Sequence, residues 1–348
     1  MAIFVFGAGA TRGASFVNPT KNPCLPPLDS DFFTQLQLIN SQKNKKVAEK
    51  VLEDVVELFG INFNITMEKM FTTLEHMHRM LKTTGESRDF KRDEIKTRRE
   101  RLVQSIAAVF EESLTQQGRK FCECKYHNKF VANILQPGDS IINFNYDCVL
   151  DYSLKSKGDK KWNPRYGYAL PIGSGNRKLP GEEHWMPNDP TKDKSNILVY
   201  KLHGSLHFWE QGKKDKAKVI LKKHPYTRQR GDLRFTIIPP EWHKSYDEKT
   251  FKLLWQKAGS NLHKTKHLVL IGYSLPSTDL HSTVLFHVSI KKKGLKSLVI
   301  VNPDHEARHR IRNVIWRGIN NKTKILAFNS LEEFIAVDRK LWDTDLQV

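Results

Sequence analysis

The chain has 348 residues, 39% of them apolar and 27% charged, which is the composition of an ordinary globular protein long enough for one large domain or two modest ones. No run approaches the ~18–20 apolar residues that a membrane span needs. The opening MAIFVFGAGATRG has no basic leader and too short an apolar run for a signal peptide, so a cytoplasmic location is expected. Lysine and arginine number 57 against 38 aspartates and glutamates, a net charge of +19, which raises the expectation of an acidic partner such as a nucleotide, a nucleic acid or an acidic protein. The basic residues are dispersed, however, over residues 43–46, 88–101, 213–218 and 291–293, and most such runs are solvated faces.

Residues 2–6 (AIFVF) read as a buried strand that enters a small-residue loop, GAGATRGAS at 7–15. Prolines at 19, 23, 26 and 27 then prevent a regular helix. From about 31 to 136 the pattern is helical. Val47, Val51, Leu52, Val55, Val56 and Phe59 recur at three- and four-residue spacing, as do Met67, Met70, Phe71, Leu74 and Leu81, and then Leu102, Val103, Ile106, Val109, Phe110 and Leu114. The polar segment 84–100 reads as a loop and the start of a surface helix.

After Pro137 short apolar runs take over: 140–147, 197–205, 234–240, 267–274, 297–304 and 324–328. Most carry β-branched residues, and most end in Asn, Gly, Pro or Ser, as buried parallel strands do, with function at their carboxyl ends. Helical stretches are expected near 246–262, 278–293 and 305–317. Residues 155–196 and 209–232, rich in Lys, Gly, Pro and Asp, read as long surface excursions.

Five strand ends carry candidate chemistry. Gly7, Ala8, Gly9, Ala10 and Thr11 follow the first strand, where glycines allow a tight turn and close approach to a pyrophosphate. Asn143-Phe144-Asn145-Tyr146-Asp147 sets amide and carboxylate groups after a buried run, more than one helix cap requires. Lys201-Leu202-His203-Gly204-Ser205 offers a histidine able to act as a general base near neutral pH. Gly272-Tyr273-Ser274 and Asn302-Pro303-Asp304 suit contacts to phosphate and ribose hydroxyls.

Two patterns suggest metals and are set aside. His305-Glu306-Ala307-Arg308-His309 satisfies H-E-x-x-H, but it falls in a helix's first turn beside Arg308, Arg310 and Arg312, and that positive charge disfavours a dication. Cys24, Cys122, Cys124 and Cys148 lack the paired knuckles of a zinc ribbon and read as reduced thiols. His263 and His267, four apart, read as an exposed helix face. No metal is expected.

In this order GAGAT, NFNYD, HGS, GYS and VNPD resemble the sirtuin-like superfamily, whose pattern is a G-A-G-A-S loop, T-Q-N-I-D, an H-G, a G-T-S and a late strand ending near an Asn. GAGATRGA, NFNYD, KLHGS and GYSLPSTD look more like its divergent branch in bacterial anti-phage defence, many of whose members hydrolyse NAD. The chain lacks the G-I-P-D-F-R segment and the four zinc cysteines of the deacetylating branch, and Phe144 replaces the Gln of T-Q-N-I-D. The resemblance implies an α/β fold: a Rossmann-like open, mainly parallel sheet with a large helical insertion after the first strand. Residues 1–30 would supply the first strand and glycine loop, 31–136 the helical insertion, and 137–340 the rest of the NAD-binding domain.

The resemblance also implies cleavage of NAD at the nicotinamide–ribose bond. Asn145 would hold a ribose hydroxyl or the attacking water, His203 would act as base, and Asp147 would orient the nicotinamide amide or the loop around it. Residues 7–11 would cradle the pyrophosphate, and Gly272, Tyr273, Ser274 and Asn302 would meet the adenosine half. With the peptide-binding features missing, water is the expected acceptor. A deacylase or ADP-ribosyltransferase of the same fold, and a non-catalytic nucleotide-sensing module, are the alternatives. Control by assembly is expected: a homo-oligomer held by the helical block, with a regulatory ATPase, nuclease or nucleic acid as partner and no membrane.

Overall fold

A computed structural model describes residues 1–86, 89–116, 120–170, 172, 182–191, 194–211, 218–226, 235–237, 249–276, 279–343 and 345. Its centre is a six-stranded sheet of β1 (Ala2–Phe6), β2 (Ser140–Asn143), β3 (Leu198–Lys201), β4 (His267–Ile271), β5 (Ser297–Val301) and β6 (Lys324–Phe328). The spatial order is β6-β5-β4-β1-β2-β3, and every neighbouring pair is parallel. This is the doubly wound Rossmann order, with its switch point between β1 and β4. Every residue of β1, β2, β4 and β5 is buried, because helices cover both faces and nearly continuous apolar runs are needed to fill the space beneath them.

The register makes the strands end level. Phe6 pairs with Asn143 on one side and Ile271 on the other, and the row continues through Lys201, Val301 and Phe328. Each of the five motifs read from the sequence therefore leaves the sheet at one edge.

Short α1 (Ala8–Arg12) follows β1 directly. The helical insertion then runs through α2 (Phe32–Gln37), α3 (Gln42–Phe59), α4 (Met67–Thr84) and α5 (Arg92–Leu114), with α5 packed on both α3 and α4. The apolar stripes face inward as their spacing requires. Not all of the basic run on α5 is a solvated face: Arg98 is buried beside Asp54, Glu57 and Glu94, and Arg101 grips Asp54 at 2.7 Å. Helices α6 (Lys125–Lys129) and α7 (Val149–Lys157) flank β2, and the short α8 (Pro164–Gly167) and α9 (Glu182–Trp185) follow. Helices α10 (Lys249–Lys264), α11 (Leu280–Ser289) and α12 (His305–Ile315) match the stretches expected from periodicity, and α13 (Leu331–Ala336) ends the series. Among the described residues no helix is long and apolar enough to cross a membrane.

Three expectations need correction. The run at 234–240 is not a strand of the parallel sheet. Its residues Phe235–Ile237 pair antiparallel with Gly204–Gln211, which also pairs with Lys218–Leu221, while Pro239 and Pro240 lie outside the described residues. Residues 155–196 are not merely a surface excursion: Trp162, Tyr168 and Trp185 are among the largest fully buried side chains, and these aromatics anchor the polar loop around them. Residues 171, 173–181, 192 and 193 of that stretch, and 212–217 and 227–232 of the second, lie outside the described residues. His267 is not on an exposed helix face; it opens β4 and is fully buried, while His263 sits in the last turn of α10.

At the foot of the sheet Asp139 accepts the Ala2 N–H at 2.9 Å and binds Arg339, which also holds Asp343 at 2.8 Å. These three charged groups are nearly sealed from water. Arg339→Met, which leaves two buried carboxylates without their cation, should lower unfolding stability by about 3–5 kcal/mol; a loss of less than about 1 kcal/mol in urea unfolding would show that the clasp is not part of the folding unit.

Candidate active site at the carboxyl ends of the parallel strands

The glycine loop is fixed by its own neighbour in the sheet. Gly7 N–H donates to the Ile271 carbonyl at 3.0 Å and Gly9 N–H to the Gly272 carbonyl at 2.8 Å. A Cβ on Gly7 would stand 2.6 Å from Tyr273 Cα, and one on Gly9 2.8 Å from the Gly272 oxygen. On Gly272, whose φ is +59°, it would stand 2.0 Å from the Ala10 nitrogen. The expected reason for these glycines was approach to a pyrophosphate. In the structure the close partner of Gly7 and Gly9 is the end of β4. The Ala10 amide is also taken, by the Gly7 carbonyl at 2.9 Å, whereas the Ala8 amide, in the first turn of α1, has no backbone acceptor among the described residues.

The segment after β2 ties itself to this loop. Asn145 N–H is held by the Asn143 side-chain oxygen at 2.8 Å. The Asn145 Nδ2 donates to the Gly7 carbonyl at 3.0 Å and to the Thr11 hydroxyl at 3.3 Å. Its Oδ1 makes no hydrogen bond among the described residues. The Thr11 hydroxyl donates to Asp147 at 2.8 Å, and the other Asp147 oxygen accepts the Val149 N–H at 2.9 Å. Both carboxylate oxygens are thus engaged within the protein, so what Asp147 orients here is the loop. Burial raises the Asp147 pKa against the pull of Lys201 and its two donors.

His203 follows β3, and Gly204 turns the chain after it with φ +77°. His203 is 7% exposed, and its imidazole lies against Phe144 and Tyr146, at ring distances of 5.0 and 6.2 Å. The residues on either side of Asn145 therefore both pack on the histidine. Trp255 of α10 lies at 6.4 Å and donates its indole N–H to the Leu202 carbonyl at 3.1 Å.

A carboxylate that the motifs did not single out completes the cluster. Asp279 caps α11, and its Oδ2 stands 3.8 Å from His203 Nε2 while accepting the hydroxyls of Tyr273 at 2.8 Å and Ser282 at 2.6 Å. Asp279 is the last residue of GYSLPSTD, so the signal was present as a capping residue directly before an apolar helical stretch. Tyr273 is wedged beside it, its ring stacked on Phe144 at 4.6 Å and 15°. Asn302 braces this unit from β5: its Nδ2 donates to the Tyr273 carbonyl at 3.3 Å, and its Oδ1 accepts the Asp304 N–H at 3.0 Å. The Ser274 carbonyl is held by Arg310 at 3.1 Å. The structure thus joins residues 7–11, 143–147, His203 and Tyr273 in one cluster, and it sets Asn302 and Ser274 at the flank as supports.

Beneath the cluster runs a buried polar chain that pattern reading missed. Lys201 donates to the Asp147 carbonyl at 2.6 Å and to Asp151 at 2.9 Å. Asp151 accepts the Tyr168 hydroxyl at 2.5 Å, Tyr168 meets His207 Nε2 at 3.0 Å, and His207 Nδ1 meets Ser205 at 2.8 Å and Cys148 at 3.1 Å. Burial opposes the Asp151 charge, yet Lys201, His207 and Tyr168 together outweigh it and hold the pKa below the ordinary carboxylate value. Burial pushes His207 down to about 3. Asp147, just before α7, and Asp151, in its first turn, stand four apart, and that spacing was the available signal.

A concavity of about 500 Å³ lies elsewhere, lined by His309, Arg312, Asn313, Trp316 and Ile325, and contains none of the motif residues. His305 and His309 stand in the first turns of α12, where the His309 ring meets Asn313 at 3.2 Å. The four cysteines are free thiols.

A family model described as the SIR2-like domain matches residues 139–322, just over half the chain. The chain belongs to the SIR2-like family. The match takes in the ends of β2, β3, β4 and β5, and the glycine loop at 7–11 lies outside it, joined to it by the bonds to Ile271 and Gly272. No curated protein matches the sequence. In this SIR2-like fold Gly272→Ala should cost more than about 2 kcal/mol, because positive φ and a backbone clash act together; a variant with wild-type stability in a denaturant melt would show that the loop seam yields easily.

Proposed function

We propose that this SIR2-like chain is an NAD hydrolase that cuts the nicotinamide–ribose bond, giving ADP-ribose and nicotinamide. The observation that carries the reading is Asn145. Its amide nitrogen is anchored on the glycine loop, its oxygen has no hydrogen-bond partner among the described residues, and the residues on both sides of it pack on His203. A positioned acceptor beside an imidazole, at the switch point of a doubly wound sheet, suits a ribose hydroxyl and a water.

In the reaction the glycosidic C–N bond breaks with its electron pair passing to the nicotinamide ring, which leaves neutral. A water oxygen bonds to the ribose carbon, and its proton passes to His203 and then to solvent. The leaving group is cationic beforehand, so no strong acid is required. Asp279, near His203 Nε2, would orient the ring and stabilise it once protonated. Asp147 and Thr11 hold the loop and Asn145 in register. The likeness of GAGATRGA, NFNYD, KLHGS and GYSLPSTD to anti-phage proteins supports a role in defence by NAD depletion, in the cytoplasm, with a homo-oligomer or a regulatory partner restraining the enzyme.

Purified protein incubated with NAD should release nicotinamide and ADP-ribose in equal amounts. Asn145→Ala and His203→Ala should each lower the rate at least about 100-fold, the usual scale for a positioned base, while keeping wild-type melting behaviour. Asp279→Asn should lower kcat about tenfold with little change in KM. A wild-type chain that neither binds NAD in calorimetry nor releases nicotinamide would overturn the reading, as would full activity in either alanine variant.

A further inference from the structure

The foot of the sheet, at the edge opposite the site, carries a second cluster. His267 opens β4 and is fully buried. Its Nδ1 meets the Ser297 hydroxyl, at the start of β5, at 2.9 Å. Its Nε2 points at two carboxylates from the end of the described chain: Asp343 Oδ1 at 3.2 Å and Asp345 Oδ2 at 3.2 Å. The other oxygen of each carboxylate is already held. Arg339 takes Asp343 Oδ2 at 2.8 Å, and Lys296 takes Asp345 Oδ1.

A proton on Nε2 serves this arrangement poorly. One N–H aims at one acceptor, and it is directed at Asp345. Asp343 Oδ1 then remains buried with no hydrogen-bond donor, although it stands at ion-pair distance from the same nitrogen. A single cation bonded to the Nε2 lone pair would satisfy both oxygens. The spacing suits it: ligand atoms about 2.0–2.1 Å from a tetrahedral zinc are about 3.3 Å apart, and both nitrogen–oxygen separations here are 3.2 Å. The three donor atoms all lie within 4.8 Å of one another. Ser297, Arg339 and Lys296 act as outer partners that fix the ring and turn the two carboxylates inward.

We propose that His267, Asp343 and Asp345 form a structural site for one zinc-class divalent cation, with water in the fourth position, which pins the carboxyl-terminal segment to the foot of the sheet. The site is remote from the NAD chemistry and does not depend on it. The donor set of one imidazole and two carboxylates favours zinc over magnesium or calcium, which prefer all-oxygen shells.

The test uses the full chain, freed of metal with a chelator and then titrated with zinc chloride. The wild type should bind one zinc per chain in calorimetry, and saturating zinc should raise its melting temperature by at least about 2 °C. His267→Gln should abolish both effects. Asp345→Asn, at an exposed position that leaves the core intact, should weaken zinc binding at least tenfold, which keeps the test decisive if the buried variant fails to fold. A wild type with no zinc-dependent rise overturns the proposal. So does a zinc effect that survives unchanged in Asp345→Asn, or one that disappears in His309→Ala, which would move the site to α12.

Discussion

Between β1 and β4 two backbones touch with no side chain between them. Gly7 and Gly9 on one side and Gly272 on the other allow it, and two hydrogen bonds of 3.0 and 2.8 Å close the seam. This contact lies at the switch point, where the sheet's connections turn in opposite directions and leave a crevice. It fixes where Thr11 and the Gly7 carbonyl stand, and these are the two groups that hold the Asn145 amide. Without the seam, the loop, Thr11, Asp147 and Asn145 would have no common frame.

Around the seam the polar groups are held in layers. Asn145 and His203 lie at the strand ends, Asp147 and Asp279 hold the loop and face the imidazole, and Lys201 with Asp151 anchors the layer below. The lower layer is nearly dry, so each charge there needs its partner: Lys201 and Asp151 are 0% and 1% exposed. Such an arrangement exchanges stability for fixed geometry, and the proposed hydrolysis, which must place one water against one ribose carbon, would depend on that geometry. The opposite edge of the sheet has its own charged cluster, where Asp139, Arg339, Asp343 and His267 join the first strand to the end of the described chain.

The sequence made the sheet legible because four of its six strands are buried along their whole length, and full burial demands unbroken apolar runs. The strand at 235–237 misled for the same reason: apolar content shows burial, but it does not show whether the partner runs parallel or antiparallel. The site's strand-end residues were legible as motifs because polar groups directly after such runs are unusual. The buried charges were not. His267 and Arg98 look like surface residues in a basic chain, and only the fold reveals that Asp343 and Asp54 lie beside them. Asp279 was visible within GYSLPSTD, but its approach to His203 links residues 76 positions apart that no local pattern connects. The glycines were legible as positions of close approach, and the fold adds a neighbour that the sequence did not show. Close approach was required, and the approaching group is Gly272 and Tyr273.

Hydrogen–deuterium exchange of the Asn145→Ala protein, with and without saturating NAD, locates the ligand without consuming it. Protection should appear in peptides covering 5–15, 143–150, 203–208 and 270–276, and be absent from those covering 309–325. No protection at the strand ends, or protection confined to the groove between α12 and β6, would contradict an NAD site built on the seam between β1 and β4.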